Sequence, residues 1–149
     1  MSSERWVSVS LLRKGDREIV KSGSGRLDLE FPEVMGAFIT DGSPGRAVYI
    51  FFRNVMRGVG LNPDAGRLPT QRERRQLRQG LARVVAHEVV HALAPSQPHA
   101  PRGLMCRKLN RSLLLLGSPL DHATVNGLRE VASGMALARR PGLRATSTF

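Results

Sequence analysis

Two histidines and a glutamate lie together in the segment HEVVH, as His87, Glu88 and His91. In a helix, residues four apart lie on the same face one turn from each other, so the two imidazoles can bind one metal ion. Glu88 directly follows the first histidine, so its side chain is rotated away from the helix face that carries the two histidines. It can therefore reach a water molecule beside the metal without binding the metal itself. The spacing predicts a zinc ion that activates water for hydrolysis, with Glu88 as the general base.

Two histidines do not complete a zinc site, because a catalytic zinc takes three protein ligands and keeps one position open. His99 is the preferred third ligand. Pro95 ends the helix, and the next residues can turn the chain back toward the histidine pair. Pro95 and Pro98 also restrict this loop, which reduces the entropy lost when metal binds. Three later residues of suitable type remain alternatives: Asp121, His122 and Glu130.

These ligands require a helix around residues 87–91. Thr70 and Glu73 have the spacing of a capping box, which marks a helix N-terminus. Pro95 cannot continue a helix, so the sequence predicts one from residue 71 to 94. Four aliphatic residues recur at every fourth position and indicate its apolar face: Leu77, Leu81, Val85 and Val89. Arginines supply the polar side: Arg72, Arg74, Arg75, Arg78 and Arg83.

The residues before this helix favour strands. An apolar-rich run covers residues 6–12, a short one covers 19–20, and residues 27–31 alternate between apolar and acidic side chains. A cluster of turn-forming residues follows at 41–45. Residues 47–52, AVYIFF, form a continuous apolar run of strand length, which predicts a well-buried strand.

A second helix is expected near the C-terminus. Asp121 is a suitable N-cap, and apolar residues spaced for one face follow it. Residues 141–149 show no periodicity, so we expect a disordered tail after a single domain of residues 1–140. Strands followed by helices predict an α+β fold, with a small mixed sheet packed on the long active-site helix and a C-terminal helix beyond it.

Residues 84–105, VVAHEVVHALAPSQPHAPRGLM, resemble the active-site segment of zincin-like metallopeptidases. They are similar to a group of bacterial proteins in which HExxH is followed by seven residues, a histidine and a Gly-Ile/Leu-Met triplet. The likeness is weaker over residues 46–132. It implies a zincin-like fold, with His87, His91 and His99 as zinc ligands and Glu88 as the general base.

The chain departs from the regular metzincin pattern. Metzincins have a glycine three residues after the second histidine and a third histidine three residues later. Here Ala94 occupies the glycine position and His99 comes two residues later than expected. The resemblance implies that Met105 lies beneath the metal site, and an ordinary core residue is the alternative. Cys106 is a candidate thiolate ligand or, as free cysteines more often are, a small buried hydrophobe.

The composition limits the class of protein. The chain has 149 residues, of which 41% are hydrophobic, and this is enough for one core. Its longest aliphatic run, residues 113–116, is too short to span a membrane. A single cysteine excludes an internal disulfide. Because the N-terminus lacks an apolar signal segment, we expect a cytoplasmic protein. The net charge of +11 permits an anionic partner.

The sequence is compatible with three functions. A zinc peptidase explains the motif best, with a peptide or protein substrate. Arg102 and Arg107 are candidates to stabilise the oxyanion. The strand at 47–52 is a candidate to offer an edge along which an extended peptide could pair. A non-catalytic zinc-binding or protein-interaction domain explains the histidines without a role for Glu88. A basic nucleic-acid-binding protein explains only the charge, and from the arginine face we expect only weak, non-specific binding.

Overall fold

Three strands precede four helices in the computed structural model, which describes residues 7–13, 34–39, 46–117 and 119–138. This part of the chain has an α+β fold with a small mixed sheet and one long helix, as the sequence predicts. In chain order the elements are β1 (Val7–Leu12), β2 (Gly36–Ile39), β3 (Arg46–Phe51), α1 (Phe52–Gly58), α2 (Gln71–Leu93), α3 (Arg111–Leu116) and α4 (His122–Ala138).

The apolar strand β3 lies in the centre of the sheet, whose strand order is β1-β3-β2. It runs parallel to β1 and antiparallel to β2. Val48 and Ile50 on β3 are fully buried. The expectation that this strand offers an edge to a peptide is therefore wrong, because neighbours are hydrogen-bonded along both of its edges. Among the described strands, β1 and β2 are the outer ones.

Helix α2 is the element around which the other elements pack. It contacts all three strands and the other three helices. Gly80 allows a close approach, since a methyl group at this position would lie 2.5 Å from Cγ1 of Val59. One hydrophobic cluster joins the sheet to the helices: Val48, Ile50, Val55, Val59, Leu77, Val84, Ala92 and Leu114.

The buried face of α2 is offset from the predicted one. Leu77 is buried as expected, but Leu81, Val85 and Val89 are only half-buried. The buried residues of the helix are Leu77, Gly80, Val84, His87, Glu88, Val90 and Ala92. The prediction counted only large aliphatic side chains, whereas Gly80 packs against Val59 and the motif residue Glu88 packs against Gly36 at the start of β2.

A capping box begins α2, as predicted. The Glu73 N–H donates to Thr70 Oγ1 at 3.3 Å, and the Thr70 N–H donates to the Glu73 carboxylate at 2.7 Å. Arg67 adds two hydrogen bonds to the same carboxylate, at 2.7 and 2.8 Å. The other end of the helix lies at Leu93, one residue before the predicted end, and the Arg46 guanidinium donates to the Ala92 carbonyl there.

Replacing Glu73 by glutamine should lower the free energy of unfolding at neutral pH. The hydrogen bonds from Arg67 and Thr70 lower the pKa of Glu73 to about 2 from 4.5. A carboxylate with a depressed folded-state pKa stabilises the folded state above its unfolded pKa, and this contribution is lost as the pH falls through the folded value.

Denaturation of the metal-free wild type and Glu73→Gln should therefore show a difference at about pH 6 that shrinks by about pH 3. The difference should be small and sensitive to salt, because the pair is exposed to solvent. An equal difference at both pH values would contradict this account of the helix start.

The remaining sequence predictions have different outcomes. Asp121 caps α4, where its Oδ1 accepts from the Thr124 N–H at 2.9 Å, so the second predicted helix is confirmed. Helix α1, strand β2 and helix α3 have no counterpart among the predictions. The predicted strands at 19–20 and 27–31, the turn at 41–45 and the tail at 141–149 lie outside the described residues. No helix among the described residues is long and apolar enough to cross a membrane.

Candidate metal centre

Three histidine side chains converge at the C-terminal end of α2. His87 and His91 lie one turn apart on the helix, and the following loop brings His99 to them. The Nε2 atom of His91 is 3.2 Å from Nε2 of His87 and 3.2 Å from Nε2 of His99. Ligand atoms of all three lie within 4.8 Å of one another. Because nitrogens about 2.0–2.1 Å from a tetrahedral zinc are roughly 3.3 Å apart, the three histidines are close enough to bind a metal ion.

The surroundings of His87 and His91 favour their neutral forms, which are the forms that bind metal. Burial, followed by the neighbouring His87 and His99, lowers the pKa of His91 to about 4. Burial is also the largest cause that lowers the pKa of His87. His87 Nδ1 lies 2.8 Å from the Leu104 carbonyl, which can only accept a hydrogen bond. The proton of His87 is therefore on Nδ1, and Nε2 keeps its lone pair for a metal.

Backbone hydrogen bonds fix the loop that carries His99. The Gln97 N–H donates to the Ala94 carbonyl at 2.9 Å and turns the chain just after the helix end. The Ala100 N–H donates to the Met105 carbonyl at 2.8 Å, next to His99 itself. Helix α4 packs against this loop, since a methyl group at Gly127 would lie 2.6 Å from Oε1 of Gln97.

The Gly-Leu-Met triplet completes this loop through its backbone. Gly103 has a φ of +82°, and a methyl group there would lie 2.6 Å from the Pro119 carbonyl oxygen. Glycine is required for both reasons. The turn at Gly103 places the Leu104 carbonyl against His87. Met105 is fully buried but does not belong to the main hydrophobic cluster, and its position beneath the metal site stays a prediction.

The alternative third ligands are not part of the histidine cluster. The Asp121 carboxylate accepts from the N–H and hydroxyl of Thr124 at the start of α4, at 2.9 and 2.8 Å. His122 and Glu130 are exposed on the same helix. Cys106 is also outside the cluster, and its Sγ lies 4.0 Å from the Pro101 carbonyl oxygen.

The Glu88 side chain is buried where α2 packs against the first residue of β2. Its side chain packs against Gly36, where a methyl group would lie 2.6 Å from Glu88 Cγ and 2.8 Å from Oε1. Burial raises the pKa of Glu88 to about 7. A cation held by the adjacent histidines would favour the ionised form. A carboxyl group with these properties can accept a proton near neutral pH.

A cleft of about 870 Å³ opens over the histidines and Glu88. Strand β2 and helix α1 form part of its wall, and the segment between Cys106 and α3 forms another part. Of the two arginines predicted near the site, Arg107 lines this cleft and Arg102 does not. Sequence reasoning missed Gly36 and Arg57, because both lie on elements that had no recognisable pattern.

No protein-family model, curated protein or solved structure matches this chain.

Imidazole nitrogen is a suitable donor for zinc, copper, iron and nickel. The three nitrogen donors fit the ligand set of a catalytic zinc, in which one position is left for water or substrate. The carbonyl bonded to His87 also fits, because zinc-binding histidines usually donate their other ring N–H to such a group.

Replacing Gly36 by alanine should displace the Glu88 carboxylate without removing a metal ligand. If Glu88 is the base of a zinc-dependent hydrolysis, we expect zinc content to be retained and that activity to fall by roughly 10-fold to 10²-fold, since small misplacements of a catalytic group carry losses of this size. Gly134→Ala in α4 is the matched control, because a methyl group there meets no atom within 4 Å. Equal activity of both variants would show that Glu88 tolerates the displacement.

Proposed function

We propose that the protein is a zinc-dependent metallopeptidase in which His87, His91 and His99 hold the ion and Glu88 is the general base. One observation carries this proposal: three clustered imidazoles and a buried carboxyl group line the same open cleft. A bound zinc ion supplies Lewis acidity, which polarises a scissile carbonyl and lowers the pKa of water.

The residues of the chain hold and move the proton. Glu88 accepts a proton from the attacking water and returns it to the leaving amine. Its burial supports this role, because a carboxyl group is most effective as a base when its pKa lies near the working pH. The Leu104 carbonyl keeps His87 in the tautomer that ligates, and Gly36 keeps the carboxylate of Glu88 in place.

Strand β2 is the proposed support for an extended peptide. It lines the cleft through Gly36 and Phe38, and its one partner among the described strands is β3. An added strand would gain backbone hydrogen bonds along β2 and bring a peptide bond past Glu88. Strand β2 replaces β3 in this role, because β3 is paired along both of its edges.

Metal analysis of the purified protein, together with cleavage of a broad peptide library, tests the proposed function. We expect about one zinc per chain, and cleavage that a chelator abolishes and added zinc restores. Zinc binding without cleavage of any peptide would favour a non-catalytic metal-binding domain, which needs the same three histidines but not Glu88.

A further inference from the structure

The charged lining of the cleft is mostly positive. Arg57, Arg107 and Lys108 line it, whereas Glu88 is its one acidic residue among those described. Glu88 packs against Gly36 and serves the proposed reaction. The other charged side chains that line the cleft, among the residues that the structure describes, are therefore cationic, and the wall also includes the apolar side chains of Met35, Phe38 and Leu109.

Arg57 is held in place by its neighbours. The Asn54 Nδ2 group donates to the Val34 carbonyl at 2.6 Å, which ties helix α1 to the residues before β2. Arg57 Nη1 then donates to Asn54 Oδ1 at 3.0 Å. This bond uses one of the five N–H donors of the guanidinium group. A side chain positioned in this way loses little entropy when it binds a ligand.

The chain that follows Arg57 lies close to helix α3. A methyl group at Gly58 would lie 3.1 Å from Cδ1 of Leu114, and one at Gly60 would lie 3.1 Å from the Arg111 guanidinium. The chain at the end of α1 therefore lies close to α3, and Arg107 and Lys108 lie four and three residues before the first residue of α3. Helix α1 and the segment before α3 therefore both contribute positive charge to the wall of the cleft.

We propose that Arg57 and Arg107 bind a carboxylate of the substrate, so that the preferred substrate is an acidic peptide. The proposal rests on the proposed peptidase function and adds the substrate class. Arginine binds carboxylates through paired, charge-assisted hydrogen bonds, and the neighbouring apolar wall suits the methylene groups of a glutamate. The carboxylate can come from an acidic side chain or from the peptide C-terminus.

Peptide binding to zinc-loaded Glu88→Gln tests this proposal without requiring cleavage. The probes are fluorescein-labelled, alanine-based octapeptides with a central Glu or a central Gln, each with a free or an amidated C-terminus. Fluorescence anisotropy at about 0.15 M salt, where long-range attraction is screened, gives the affinities. We expect the amidated Glu peptide to bind roughly 10-fold more tightly than the amidated Gln peptide if a side chain is recognised. Preference only for free C-termini would identify the terminal carboxylate.

Matched arginine variants separate a defined subsite from the overall positive charge. In the same background, Arg57→Gln and Arg107→Gln should each abolish most of the preference, and Arg107→Lys should restore part of it. Arg75→Gln removes the same charge from an exposed position of α2, about 18 Å along the helix axis from His87, and should keep the preference. Circular dichroism and zinc content show whether each variant is folded.

Two outcomes would overturn the proposal. One is equal binding of the Glu and Gln peptides in both terminal forms, and the other is an equal loss of preference in Arg75→Gln and Arg57→Gln. Failure of the peptidase function gives a different result, because acidic peptides would still bind selectively while wild type cleaves none. Cleavage of neutral and acidic peptides at equal rates, without selective binding, would leave the peptidase and remove the carboxylate subsite.

Discussion

Replacing His99 by alanine should remove most of the bound zinc and leave α2 intact. Two imidazoles from one helix would remain, and two protein ligands do not make a stable zinc site. We expect the zinc affinity to fall by more than the 10- to 100-fold that loss of a residue supporting a ligand usually costs. His99 is exposed, so its truncation leaves no cavity in the core. Competition with a chromophoric chelator measures the affinity, and circular dichroism measures the helix.

The competing ligands provide the control for this experiment. His122→Ala and Glu130→Ala change exposed residues on α4 and should keep about one zinc per chain. Asp121 is less suitable as a control, because its carboxylate caps α4. Full zinc content in His99→Ala, together with loss of zinc in Glu130→Ala, would show that the third ligand has been assigned to the wrong residue.

The long helix was predictable because its signals are local. The Thr70 and Glu73 side chains bond to each other's backbone three residues away, and Pro95 acts at the position where it stands. The two histidines of the motif share a face for the same local reason. The helix bounds could therefore be read from the sequence to within one residue, and so could the cap at Asp121.

Strand β2 and its contact with Glu88 were not predictable in the same way. The strand has four residues, GAFI, without alternation or a turn signal at its start. Its place in the sheet depends on pairing with β3, and Gly36 acquires a role only because this pairing brings it against α2. The same limitation led to the wrong edge assignment for β3, since a continuous apolar run indicates burial but does not specify neighbours.

The cleft combines a local part with a part set by tertiary packing. His99 follows α2 by a short, proline-restricted loop, so a third histidine close to the pair could be expected from the sequence. Arg57 lies on α1, which has no counterpart among the predicted elements, and its orientation depends on Asn54 and the Val34 carbonyl. The ligands could be proposed from spacing, but the charge of the cleft wall required the structure.

Replacing Glu88 by glutamine should separate catalysis from metal binding. Glutamine is nearly isosteric, so it fits the space against Gly36, and the three histidines are unchanged. We therefore expect Glu88→Gln to keep its fold and about one zinc per chain. Peptide hydrolysis should fall by roughly 10²-fold or more, because the amide cannot accept the proton that the carboxylate takes from water.

The measurements are zinc content, thermal denaturation and initial cleavage rates for wild type and variant, each with chelator and with zinc restored. Wild-type activity should also decline at acid pH, because protons compete with the metal for the ligand histidines. A peptidase needs the carboxylate of Glu88, whereas a non-catalytic metal-binding domain on the same scaffold does not. If wild type and Glu88→Gln bind zinc equally and neither cleaves any peptide in a broad library, the peptidase proposal fails and the metal-binding domain replaces it.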